Sequence, residues 1–244
     1  MKKIVYSLLL VSGLLIASCN DGTSSKGNTV ITGNVEGLNQ GKLYLYQMQD
    51  TTLVAVDSLI VNGGNANFKF ALDIESPEML YLTLDRGHTV SQDNQLGFFA
   101  EPGQINIETN LKKFYAQAKV TGSTNQPIYE EYLKVRGSVI DKQNGLIVEM
   151  FNARKENNQH ALDSLVNLDK RLNNRKYLNA INFAINHKNS DVAPFIALTD
   201  LYDANIKYLD TIYNSLDSNI ANQKYGKQLK EFIAERKEMS TVQE

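Results

Sequence analysis

The chain has 244 residues, with 25 Lys and Arg against 27 Asp and Glu, a formal charge of −2. That mildly acidic balance argues against nucleic-acid binding, which rests on clustered basic charge that neutralises phosphates. A single cysteine allows neither an intramolecular disulfide nor a Cys-x-x-Cys redox pair, so stability must come from packed apolar cores.

Residues 1–18 read as a signal peptide. Lys2 and Lys3 precede a nearly unbroken apolar run from Ile4 to Ala17, shorter than the roughly 20 residues a transmembrane helix needs. Leu15-Ile16-Ala17-Ser18-Cys19 has the order of a lipoprotein processing site, small residues followed directly by the only cysteine. Cys19 is the expected lipid-attachment residue, and two or more acyl chains suffice for stable anchoring. An ordinary secretory signal that happens to end beside a cysteine is the alternative. Residues 19–28 form the expected tether, since Asp21 to Asn28 is rich in Gly, Ser and Thr and has no apolar residue to bury.

Residues 29–122 carry strand patterns. Leu43 to Tyr46, Leu53 to Val61, Ala66 to Leu72, Met79 to Leu84 and Gln104 to Glu108 are short alternating, β-branched or aromatic runs. Asn39-Gln40-Gly41, Asn62-Gly63-Gly64, Ser76-Pro77 and Pro102-Gly103 separate them as turns. Asn62-Gly63 predicts a hairpin, and the spacing as a whole predicts an antiparallel β-sandwich. Phe98-Phe99 belongs to its expected core.

From 123 to 239 the period changes to that of helices. Ser123 to Pro127 reads as a capped helix start. Ile128, Tyr132, Val135, Val139 and Ile140 then recur at three- and four-residue steps, followed by Ile147, Met150 and Phe151. A second long helix runs from Leu162 to Ile185 and breaks at Asn186 to Ser190. Ser190 is the expected cap of a short helix with Pro194 in its first turn, and two further helices centre on Leu209 and Leu229. The fold class is α+β, a sandwich followed by an all-α domain of helical hairpins, with residues 240–244 as a disordered tail.

Several motifs in this order resemble a known family. Ile31-Thr32-Gly33, Gly41 to Leu45, Val56-Asp57-Ser58, Phe68-Lys69-Phe70, Glu101-Pro102-Gly103 and Val120 to Ser123 are similar to a domain of unknown function found in Gram-negative envelope lipoproteins. Tyr225 to Leu229 resembles the helical connector that follows it. Many members continue into a thioredoxin-like thiol–disulfide oxidoreductase domain. The resemblance implies a β-sandwich-like domain, a helical second half and an envelope location. It does not bring redox activity, because this chain has no Cys-x-x-Cys.

No catalytic constellation stands out. His88, His160 and His187 lack metal-pair spacing. Asp57 and Ser58 are neighbours in a strand, so their side chains are expected on opposite faces. Glu130-Glu131 and Glu235 to Glu238 read as solvated helix faces, and Asp85, Asp93 and Asn94 are too sparse for a calcium loop. Tyr44 and Tyr46 share one strand face and are the candidate platform for a ligand. The expectation is therefore a non-enzymatic envelope lipoprotein with no cofactor and no nucleic-acid partner. It would be anchored through Cys19, at the outer membrane, and serve as an interaction or accessory module for a protein partner or a second copy. A glycan- or peptide-binding module is the alternative.

Overall fold

The structure is a computed structural model that describes residues 27–64, 66–87 and 92–241. The signal peptide, Cys19, most of the tether, His88 and the last three residues lie outside them. Among the described residues eight strands are followed by six α-helices: β1 (Thr29–Glu36), β2 (Gln40–Gln49), β3 (Thr52–Asn62), β4 (Asn67–Leu72), β5 (Glu78–Asp85), β6 (Gln95–Ala100), β7 (Gly103–Asn110), β8 (Lys119–Thr121), α1 (Asn125–Lys155), α2 (Gln159–Asn186), α3 (Val192–Thr199), α4 (Ile206–Ser215), α5 (Ser218–Ala221) and α6 (Lys224–Thr241).

The strands form two four-stranded sheets, ordered β4-β1-β7-β8 and β3-β2-β5-β6. The α+β class and the sandwich are as expected, but the sandwich is not wholly antiparallel. β1 and β7 run parallel, Thr29 beside Gly103 through Glu36 beside Asn110. A parallel pair needs a long crossover, and here the intervening chain supplies the whole second sheet. The Asn62-Gly63 turn is likewise no hairpin. It carries the chain from β3 in one sheet to β4 in the other, with positive φ at Gly63 and Gly64. The tight β2–β3 hairpin turns instead at Asp50 and Thr51, where Asp50 takes a φ of 53°.

The sandwich core interleaves Ile31, Val35, Phe68, Phe70, Ile105 and Ile107 from one sheet with Leu43, Leu45, Leu80, Leu82, Leu96 and Phe98 from the other. Alternation then decides where the helices go. In β5 and β6 the intervening residues Met79 and Phe99 are also fully buried, but in a second core with Tyr132, Ile181, Phe183, Ile196, Leu209, Tyr225 and Leu229. Both faces of these strands are therefore apolar, and the helical domain packs on the outer one. Thus Phe98 and Phe99 are both core residues, of different cores.

Phe99 sits among three rings, with centroids 5.5 Å from Tyr129, 5.3 Å from Phe195 and 6.3 Å from Tyr225, all edge-on. Aromatic pairs in this arrangement gain about 0.5–1.5 kcal/mol beyond burial. The distal halves of α1 and α2 leave this core and continue as a two-helix arm. Its own small cluster contains Val139, Leu146 and Leu172.

Phe99→Ala is expected to lose about 3–5 kcal/mol, the usual cost of emptying a packed aromatic site. Urea unfolding followed separately in β and helical signals should show two transitions in the variant where the parent shows one. Coincident transitions in Phe99→Ala would mean that the two cores are not coupled through this ring.

Candidate functional site

The helical domain is held to the sandwich by polar groups that take over hydrogen bonds the sheet leaves unmade. β6 is an edge strand, and its Phe99 N–H donates to Gln126 Oε1 on α1 at 2.9 Å. β2 pairs with β5 only as far as Leu80, so the next N–H, that of Met79, donates to the Tyr225 hydroxyl at 2.8 Å. Burial raises the pKa of that hydroxyl, against the Met79 N–H, which favours the phenolate. The carboxylate of Glu78, 4 % exposed, pairs with Lys224 and accepts from Gln47 Nε2 at 2.7 Å. The first turn of α6 thus closes on the end of β5. The cleft between them, about 490 Å³, is lined by Asp73, Glu75, Ser76, Glu78, Gln223, Lys224 and Lys227.

A polar junction around the buried Asn125, Ser190 and Asp191 joins the starts of α1, α3 and α6. Glu101 accepts from the Thr124 N–H and hydroxyl and from Asn125 Nδ2, placing negative charge at the positive end of α1. Asn125 Oδ1 in turn accepts from the Ser190 hydroxyl at 2.7 Å and the Asp191 N–H at 3.1 Å. Asp191 is the residue at the α3 cap position, 2 % exposed, and its carboxylate faces the Gln223 amide at 2.5 Å. Burial, and then the charge of Glu101, push this carboxyl up to about 7. Its own backbone N–H opposes that rise. Ser190 caps as its position suggests, though through Val192 N–H at 3.2 Å, while Asp191 makes no side-chain cap bond.

The residues singled out in the sequence fall elsewhere. Tyr44 and Tyr46 lie side by side on the outer face of the second sheet, half-buried, with ring centroids 5.7 Å apart and the Lys42 ammonium 4.4 Å from the Tyr44 ring. Asp57 accepts the Ser58 N–H at 2.7 Å, and both are exposed. Asp93 accepts the N–H groups of Phe114, Tyr115 and Ala116, and so shapes a loop. His187 stacks on Phe183 at 4.0 Å, with Nδ1 2.9 Å from the Phe183 carbonyl. The segment Glu235 to Glu238 is more than a solvated face. Arg236 donates to the carbonyls of Tyr202 and Ala204, and Lys237 pairs with Asp210 at 2.8 Å. Among the described residues no cluster of three or more His, Cys, Asp or Glu is placed to hold a metal. No helix among them is long and apolar enough to cross a membrane.

Sequence reasoning missed the Glu101–Asn125–Asp191–Gln223 junction. Each member reads as an ordinary polar loop or cap residue, and only the packing of three helix starts brings them together and buries Asn125 and Asp191. Residues 29–129 match the family described as Domain of unknown function (DUF4369), a span that covers the sandwich and the first turn of α1, including Gln126 and Tyr129. No curated protein and no solved structure matches the chain.

Because the folded pKa of Asp191 lies above its ordinary 3.8, the native state holds this proton where the unfolded state loses it. The resulting stability is complete below about pH 4 and is lost as the pH rises toward 7. Asp191→Asn keeps an oxygen for Gln223 and removes the charge. The variant is expected to unfold at higher urea than the parent at pH 8, with the difference vanishing by pH 4. Equal pH profiles for the two proteins would show that Asp191 is already ionised in the fold.

Proposed function

We propose that this protein is a lipoprotein of a Gram-negative cell envelope, anchored at the outer membrane through Cys19, that works by contact rather than by catalysis. The sandwich and helical domain form one platform that receives a partner protein. A thioredoxin-like oxidoreductase carried on another chain is the partner class the family resemblance suggests.

The observation that carries this reading is the open edge of the second sheet. Among the described residues β3 pairs only with β2, along Thr52–Asn62, and ten of its eleven residues are at least partly exposed. Leu53, Val54 and Val56 are each 37 % exposed and Ile60 64 %. Within the strand Asp57 is the single charge, and there is no Pro or Lys. Sheet edges that must stay unpaired usually carry such residues as guards. An edge without them suits strand addition, in which main-chain hydrogen bonds bind an extended partner segment and side-chain pockets select it.

In-cell cross-linking of the lipidated protein, followed by capture and mass spectrometry, is expected to recover one defined envelope assembly. Val54→Lys together with Val56→Lys should abolish that recovery without altering the fold. Loss of capture in neither variant nor control, or recovery of no partner at all, would count against the edge as a docking site. Cys19→Ser should shift the protein from the membrane fraction to the soluble fraction and end palmitate labelling, and an unchanged membrane fraction would contradict the anchor.

A second reading rests on the adjacent Tyr44 and Tyr46 rings with Lys42 beside them, an aromatic face of the kind that stacks on sugars or peptides. A ligand at 100 times its Kd would add about 2.7 kcal/mol of stability, a shift that thermal screening of glycans and peptides resolves. Tyr44→Ala with Tyr46→Ala should remove any such shift.

A further inference from the structure

The two-helix arm has an apolar side that its own hairpin does not cover. Val139, Leu146, Met150 and Ala153 of α1 face α2, where Leu165, Leu168 and Leu172 meet them. At about 100° per residue, Ile140, Ile147 and Phe151 fall roughly a quarter to a third of a turn away from that seam. Antiparallel helices mirror one another's rotation, so Leu162 and Val166 of α2 come to the same side of the arm. The opposite side carries Ser138, Lys142 and Glu149 on α1 and Ser164, Arg171 and Arg175 on α2. Ile147, Val148 and Phe151 are 65 %, 62 % and 66 % exposed. Three large apolar residues so exposed on adjacent turns mark an interaction surface rather than scattered surface apolarity.

We infer that this side of the arm pairs with a second copy of the chain, the distal halves of two α1 helices lying antiparallel across a two-fold axis at Val148. The charges support that occupant. Asp141 and Lys155 lie on the same flank of α1, equally far from Val148 on either side, and neither makes an ion pair among the described residues. Antiparallel pairing about Val148 sets Asp141 of each copy against Lys155 of the other. Two arms so paired form a four-helix arrangement that covers their exposed apolar residues. A membrane surface would favour a uniformly basic rim, whereas here Asp141 lies among the basic Arg154 and Lys155.

This inference deepens the contact-based reading by naming one partner, and it uses a surface other than β3. The test is sedimentation equilibrium of the purified full chain in detergent. The parent is expected to be a dimer and Val148→Asp a monomer with an unchanged urea midpoint. Asp141→Lys should weaken association roughly tenfold, equivalent to about 1.4 kcal/mol, and Asp141→Lys combined with Lys155→Asp should restore it. In cells, Val148→Cys should form disulfide-linked dimers that Ser164→Cys, on the polar side, does not. A parent that sediments as a monomer up to its solubility limit overturns the inference, as does a dimer indifferent to both Val148→Asp and Asp141→Lys. Partner capture that survives in monomeric Val148→Asp would leave the β3 reading standing, so the two can fail separately.

Discussion

One strand serves two cores, and the rest of the architecture depends on that arrangement. In β6 the side chains of Phe98 and Phe99 leave the backbone in opposite directions, one into the sandwich and the other into the helical domain. Burying both faces of an edge strand is feasible only if something covers the face and also satisfies the edge. α1 does both, with Tyr129 against the Phe99 ring and Gln126 accepting the Phe99 N–H. α6 acts in the same way at the end of β5, where the Tyr225 ring packs near Phe99 and its hydroxyl accepts from Met79. Each contact combines apolar burial with a backbone hydrogen bond that would otherwise go unmade, so sliding the helices along the sheet would lose both together.

The polar junction adds direction to this apolar grip. A ring cluster tolerates small rotations, but a chain of Glu101, Asn125, Ser190, Asp191 and Gln223 has specific donors facing specific acceptors. It ties three helix starts to the turn between β6 and β7. The carboxylates sit where helix dipoles favour negative charge, while burial disfavours it. For Asp191 burial outweighs its backbone hydrogen bond, and the carboxyl titrates near neutrality. Glu78, itself buried, pairs with the half-buried Lys224 at the same interface. Buried pairs of this kind contribute little net stability but penalise misdocking heavily, because a separated partner keeps its desolvation cost. The result is a platform whose two halves hold a set relation, as the proposed contact-based role requires.

Those surfaces are uneven. The sandwich's first sheet and one side of the arm are polar, and exposed large apolar residues gather on β3 and on the distal part of α1. The two patches differ in kind. β3 offers backbone hydrogen bonds along an open edge, which suits an extended segment. The arm offers side chains, since the backbone groups along its helices bond to one another, and that suits another helical layer.

Much of the fold was legible in the sequence because local patterns act over few residues. The change from strand to helix period near Gly122, the break at Asn186 to Ser190 and the capping role of Ser123 and Ser190 all follow from neighbouring residues. What failed was pairing. Asn62-Gly63 has the composition of a hairpin, yet β3 and β4 belong to different sheets, and β1 lies parallel to β7 across more than half the sandwich sequence. Turn chemistry specifies a backbone bend and does not specify which strand is met beyond it. Arg236 read as a solvated charge because its acceptors, the Tyr202 and Ala204 carbonyls, lie over thirty residues away. By itself, then, the sequence determined the elements, their order and the two apolar cores they needed, since periodicity and local hydrogen bonding are short-range. Only the tertiary structure decided that Phe99 would leave the sandwich for the helices, that four ordinary polar residues would meet in one junction, and that Ile147 and Phe151 would stay uncovered. Those outcomes depend on which faces meet, and that is a property of the whole packing.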